Sequence, residues 1–248
     1  MLNNETVTKL RDMRLSTMAK HFQLQLDGNL HGELSFEERL GLLVDAEWDS
    51  RRNNRLKELT RKADFAIPSA SLEDVEYSPE RRLDRAYILR LGTGGYIEQK
   101  RNIIVMGATG SGKTFIACAF GKAAIRAFYS VRYVRLTDML HELASARSMG
   151  EYQKAIRQFK QVHLLILDEW LLFPLKESEA RDLLDVIDAR HKRASTIFCS
   201  QFPSSEWHER IGETTLADAI CDRIIYDSHD ITIFGESMRK AKGIRRDT

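Results

Sequence analysis

Three cysteines and four prolines are few for 248 residues, and no apolar run approaches the eighteen or so residues that span a bilayer. Cys118, Cys199 and Cys221 are an odd set without close pair spacing, each flanked by apolar residues. That excludes a disulfide framework and a cysteine-based zinc site, and it fits a reducing compartment. The seven histidines form no H-x-x-x-H pair or Cys/His cluster, and no Gly-x-Ser-x-Gly elbow occurs. An excess of one charge sign is missing too: 38 Lys plus Arg stand against 36 Asp plus Glu, so the net charge of +2 names no partner. The opening MLNNETVTKLRD lacks the basic-then-apolar layout of a signal peptide. A cytoplasmic protein with no membrane segment is expected.

What is present is ordinary globular material, 43% hydrophobic and 30% charged, long enough for one large domain and a small satellite. The first third reads as helical. Leu15, Met18, Phe22 and Leu26 recur at helical spacing before a turn at Gly28 and Gly32. Ser35 and Glu38 then form a capping box, with Phe36, Leu40, Leu43, Val44 and Trp48 as the apolar stripe behind it. The stripe runs into a basic patch, Arg51, Arg52, Arg55, Lys57, Arg61 and Lys62, with Glu58 as its lone acid. A helical domain over 1–65 is expected, followed by a linker at 66–80 that carries two prolines and three serines and no sustained period.

From residue 103 strands and helices alternate. Strands are expected at 103–106, 131–135, 164–167, 195–200 and 230–234, with helices from 114, near 138–147 and 151–161, and through Ala180, Leu183, Leu184, Ile187 and His191. Repeated βα units predict an α/β fold over 81–248, a parallel five-stranded sheet between helices.

Two motifs carry chemistry. Gly107-Ala108-Thr109-Gly110-Ser111-Gly112-Lys113-Thr114 fits G-x-x-x-x-G-K-[ST] in full, directly after an apolar strand and opening an amphipathic helix. Glycines let successive N–H groups curl around phosphate oxygens, and the helix N-terminus adds positive potential. Lys113 is expected on the β- and γ-phosphates of ATP and Thr114 on Mg2+. The run Leu164–Leu167 ends in Asp168-Glu169. Asp168 is expected in the Mg2+ shell and Glu169 beside the attacking water, a role that suits hydrolysis better than transfer to an acceptor and disfavours a small-molecule kinase. Gln201, at the end of the strand Ser195–Ser200, is expected to sense the γ-phosphate. Arg223 reads equally as a salt-bridged structural residue or as an arginine finger reaching a neighbour's nucleotide. The basic patch, a second one at Arg239, Lys240, Lys242, Arg245 and Arg246, and Arg147, Lys154, Arg157 and Lys160 read either as DNA-backbone contacts or as solvated surface.

Taken together, Leu34-Ser-Phe-Glu-Glu-Arg39, Glu47, the Gly107–Thr114 loop, Asp168-Glu169, Arg193–Gln201, Trp207, Leu216–Arg223 and Gly235-Glu-Ser-Met-Arg239 resemble the transposition helper ATPases of the IstB type. These are AAA+ relatives of the helicase loader DnaC and the initiator DnaA, and the likeness covers nearly the whole chain. It implies an AAA+ ATPase with little or no C-terminal lid, assembling with ATP as a homo-oligomer on double-stranded DNA and serving a partner transposase. A DnaC-like helicase loader is the alternative. By position it makes Lys113 and Thr114 the Walker A pair, Asp168 and Glu169 the Walker B pair, Gln201 the first sensor and Arg223 the arginine finger. Arg239 falls where a second sensor would be. Trp170 departs from the Gly that many relatives carry, so a different loop is expected there.

Overall fold

The computed structural model describes residues 2–28 and 33–235. The first third is helical as expected: α1 (Leu2–Asp12), α2 (Ser16–Gly28) and α3 (Phe36–Ala63). The capping box forms, the Ser35 N–H donating to Glu38 Oε2 at 2.8 Å and the Glu38 N–H to Ser35 Oγ at 3.2 Å. Glu47 of α3 is buried and caps α2, its Oε2 accepting the N–H groups of Thr17 (2.9 Å) and Met18 (3.0 Å). Its other oxygen accepts Arg51 Nε at 2.7 Å. Of the expected apolar stripe only Leu43 is buried, while Phe36, Val44 and Trp48 stay at the surface. The face of α3 that meets α2 is thus the one carrying Leu43 and Glu47.

The chain divides into two units, Met1–Glu58 and Leu59–Thr248, with the boundary inside α3. Residues 66–80, expected as a linker, lie within the second unit and bury Ala70, Leu72 and Val75. Their apolar side chains follow no period because they fill gaps over helices. Leu72 occupies the space a side chain at Gly92 would need, and the Phe65 ring does the same at Gly121.

The second unit continues with a 3-10 turn at Pro79–Arg81, α4 (Arg85–Gly92) and α5 (Gly95–Glu98), none of them expected. Asp84 caps α4 by accepting the Tyr87 N–H at 3.0 Å. Then follow β1 (Asn102–Gly107), α6 (Lys113–Arg126), β2 (Val131–Arg135), α7 (Leu136–Ser148), α8 (Tyr152–Gln161), β3 (Leu164–Trp170), α9 (Glu177–Arg190), β4 (Ser195–Ser200), α10 (Trp207–Ile211), α11 (Thr214–Ile225) and β5 (Ser228–Ile233). The last strand starts two residues earlier than its apolar residues suggested. β3 runs three residues further than expected, through the acidic pair.

All five strands are parallel, in the order β2–β3–β4–β1–β5. Strand side chains alternate between faces. Leu165, Leu167, Ile104 and Phe198 join the large cluster built with α7 to α11, whereas Ile166 packs on α6. Trp170, Phe198 and Trp207 meet ring to ring with centroids 4.7–6.3 Å apart, and all three are buried. A sheet covered on both faces explains why its central strands carry uninterrupted apolar runs, Ile103–Val105, Leu164–Leu167 and Ile197–Cys199.

Candidate functional site

Because the strands are parallel, their C-terminal ends share one edge, and Gly107, Arg135, Asp168 to Trp170, Ser200 and Ile233 lie along it. Ligands of open α/β sheets bind at that edge. The β1–α6 loop there is shaped by glycine. Gly112 has φ +100° and Gly110 φ +81°, and Gly112 is the N-cap of α6. A Cβ on Gly107 would lie 2.7 Å from the Ile233 carbonyl oxygen. The Lys113 ammonium donates to the carbonyls of Gly107 (2.7 Å) and Ala108 (2.9 Å), folded over its own loop. Thr109 Oγ1 donates to Gln201 Oε1 at 2.8 Å, so the predicted sensor touches the loop directly.

Thr114 leads to the acidic pair. Its hydroxyl donates to Asp168 Oδ2 at 2.7 Å, and so does the Tyr133 hydroxyl, also at 2.7 Å. Asp168 Oδ1 accepts the Glu169 N–H at 2.9 Å. Asp168 is only 4% exposed, so these bonds replace the hydration its carboxylate loses. Burial, then the charge of Asp168, pushes the Tyr133 phenol far above its ordinary value, which keeps it a donor. Burial likewise pushes the nearby Cys118 thiol up to about 11, leaving it neutral. At Leu167/Trp170 the β3–β4 register shifts, and Glu169 takes a left-handed φ of +54°. This irregularity turns Glu169 out of the strand's alternation, toward Arg135, whose Nε lies 3.6 Å from Glu169 Oε1. Trp170 turns back into the core.

Thus Gly107 to Thr114, Asp168, Glu169 and Gln201 are brought together. Arg223 is not. It stands in the last turn of α11, its carbonyl 3.3 Å from His191 Nδ1 in the turn before β4, near the opposite edge of the sheet. The length of β1 separates it from the loop, roughly 17 Å at about 3.3 Å per residue. Its Nε pairs with Asp188 Oδ1 at 2.9 Å and its Nη1 donates to the Ala219 carbonyl. Arg239 lies outside the described residues, as do Lys240, Lys242, Arg245 and Arg246. Arg147 pairs with Asp182, Lys160 with Asp185 at 2.7 Å and Lys154 with Glu151 at 3.4 Å.

Sequence reading missed Tyr133, Arg135 and Arg81. The last of these donates to the Ser111 carbonyl from behind the loop at 2.7 Å. Tyr133 and Arg135 stood in a correctly read strand, but only its pairing with β3, Arg135 opposite Asp168, gives them a role.

The family described as IstB-like ATP binding protein matches residues 8–245. The chain belongs to that family. Among its relatives, this IstB-family chain is 42% identical to a putative insertion sequence ATP-binding protein of Sinorhizobium fredii, covering 97% of this chain and 98% of the relative. It is 40% identical to the putative ATP-binding protein of insertion sequence IS1162 from Pseudomonas fluorescens, covering 83% and 89%. AMPPCP-bound DnaA from Aquifex aeolicus superposes with a TM-score of 0.56 at 18% identity, over 74% of this chain and 56% of that one. That likeness shows a shared fold. The IstB-family chain is an ATP-binding protein of the insertion-sequence kind.

Proposed function

We propose that this IstB-family protein is a Mg2+-dependent ATPase that assembles on duplex DNA and, in its ATP-bound form, recruits and stimulates a partner transposase at a selected target site. The observation that carries the reading is the junction of Thr114, Asp168 and Tyr133 at the foot of the glycine loop, with Glu169 and Gln201 on either side. A hydroxyl and a carboxylate oxygen 2.7 Å apart are a hard-oxygen donor set suited to Mg2+, which when bound neutralises developing phosphate charge. Lys113 would leave its own loop carbonyls for the β- and γ-phosphates, and the first N–H groups of α6 would bind the same oxygens. Glu169, released from Arg135, would accept the proton of the attacking water while Gln201 orients it.

Arg223 belongs to a neighbour's site in this reading, since its own loop lies at the far edge. Nucleotide binding and subunit assembly are then linked equilibria. Arg239 is proposed as a second sensor from its motif alone. For duplex DNA, support comes from the basic patch and from a groove of about 710 Å³ whose lining includes Arg61, Lys62, Arg132, Gln158 and Gln161, with Asp64 as its acid. Repeated phosphate contacts of this kind from many protomers would offset the cost of bending a target.

Subunit mixing tests the shared site. Lys113→Ala is expected to lose more than about tenfold in ATP affinity, the value of one charge-assisted bond. Arg223→Ala should bind ATP but release no phosphate. Mixed together, the two should regain activity, because the Lys113→Ala subunit still lends Arg223 to an intact loop. If the mixture stays inactive, or Arg223→Ala alone assembles and hydrolyses like the parent, the shared site is wrong. Tighter binding to single strands than to duplex at matched salt would point to helicase loading instead.

A further inference from the structure

Among the described residues of the second unit two arginines are buried, and they differ in how they are satisfied. Arg190, 2% exposed, donates to the carbonyls of Phe159 (2.9 Å), Val162 (2.8 Å) and Ser195 and to the Thr196 hydroxyl (3.0 Å). Each of its nitrogens has an acceptor, and it clasps the α8–β3 connection to the start of β4. Arg81, 7% exposed, has two neutral acceptors, the carbonyls of Glu76 (2.9 Å) and Ser111 (2.7 Å). Its Nε is buried with no partner. The acid whose charge acts on it, Glu76, is itself exposed and offers Arg81 a backbone carbonyl. A buried cation without a close counter-ion is costly, and arginine does not relieve that cost by losing its proton. The charge is therefore held ready for an anion.

The direction of that readiness follows from peptide geometry. The Ser111 carbonyl and the Gly112 N–H belong to one planar unit and, in the trans form, point opposite ways. Arg81 holds the oxygen from inside the protein, so the Gly112 N–H is aimed outward at the N-terminus of α6, where phosphate oxygens bind. A guanidinium bonded to the carbonyl also polarises the peptide, strengthening its N–H as a donor. The turn that carries Arg81 is pinned at both ends: its N–H donates to Ser78 O at 3.0 Å, and its carbonyl accepts the Phe234 N–H at 3.2 Å, at the end of β5.

We propose that Arg81 is a positioning residue for the nucleotide, aiming the Gly112 N–H and supplying from behind the loop a positive charge whose counter-ion is the triphosphate. This rests on the reading of the loop as a nucleotide site. A structural brace alone would affect all nucleotides equally. A charge acts in proportion to the charge it meets.

The test is calorimetric titration of the full chain with MgATP and MgADP, comparing wild type, Arg81→Met and Arg81→Lys, with thermal unfolding of each nucleotide-free protein as the folding control. Arg81→Met should weaken both nucleotides, ATP by about fivefold more than ADP, the pull of one charge on one more phosphate charge over about 8 Å at an effective dielectric near 40. Arg81→Lys keeps the charge but not the fork, so it should weaken both nucleotides evenly and restore the wild-type ATP-to-ADP ratio. Equal losses for ATP and ADP in Arg81→Met would overturn the electrostatic role, and unchanged affinities in a folded Arg81→Lys would overturn the aiming role. If Arg81→Met does not fold, Arg81→Gln takes its place with the same expected ratio. A wild-type chain that binds neither nucleotide would sink the nucleotide reading and Arg81 with it. Wild-type binding with unaltered variants sinks Arg81 alone.

Discussion

Asp168 shows what a single carboxyl side chain needs in order to be buried inside a protein. Its two oxygens take three hydrogen bonds, from Thr114, Tyr133 and the Glu169 N–H, and each donor comes from a different constraint. Thr114 is set by the first turn of α6, Tyr133 by the pairing of β2 with β3, and the N–H by the register shift in β3. Glu169 is tied more loosely, to a half-exposed Arg135. A pair of that exposure is worth about 0.2–1 kcal/mol, so Arg135→Ala should raise DNA-independent phosphate release by up to about fivefold by freeing Glu169. A fall instead would mean that Arg135 orients the glutamate for catalysis, and a steady-state assay without DNA decides between them. At this scale the contiguous residues were legible in the sequence, Gly107 to Thr114 and Asp168-Glu169, because their spacing along the chain is itself the geometry. Tyr133, Arg135 and Arg81 were not. Each reaches the site from a segment whose own pattern says nothing of its neighbour.

Among the elements, α2 has the most instructive support. Its first N–H groups are capped by a carboxylate twenty-nine or thirty residues away, on α3. Burial alone would raise the pKa of Glu47, but Arg51 and the amides of Met18 and Thr17 outweigh it and hold the group below its ordinary value of 4.5. A carboxylate lowered in the folded state adds stability that is complete above its unfolded pKa and is lost as pH falls through the lower folded value. The helical unit should therefore weaken below about pH 4.5, and Glu47→Gln should be less stable near neutrality with a flatter acid profile. Urea melts followed by far-ultraviolet circular dichroism between pH 3 and 7 measure both; parallel profiles for the two proteins would refute the cap. Sequence periodicity placed the α3 helix and its capping box, since both depend on neighbours within four residues. It misjudged which face of α3 is inward, because Phe36, Val44 and Trp48 are apolar yet exposed. The segment 66–80 failed for the converse reason, as its scattered apolar residues are claimed by gaps in other elements.

For the whole molecule, the separation of Arg223 from the loop of its own chain matters most. A parallel sheet puts the helix ends that precede strands at one edge and the loops that follow strands at the other, so a guanidinium before β5 lies far from the loop of its own chain, as the proposed shared site requires. The proposed duplex contact is a property of this scale too. Lys62→Ala and Arg132→Ala should each lower the slope of log affinity against log salt by about 1 if each meets one phosphate. Fluorescence titration of duplex between 50 and 200 mM salt reads this directly, and unchanged slopes in both variants would remove the groove from the DNA path.

The alternation of strands and helices from β1 onward, the parallel sheet, the glycine loop and the acid pair were all determined by the sequence itself, since each depends on periodicity or spacing within a few residues. Only the tertiary structure decided that Tyr133 completes Asp168, that Arg135 holds Glu169, that Gln201 meets Thr109 and that a buried Arg81 backs the loop. Those contacts join residues 30 to 92 positions apart, and the free energy that selects them comes from burial and hydrogen-bond satisfaction in three dimensions, to which no local pattern responds.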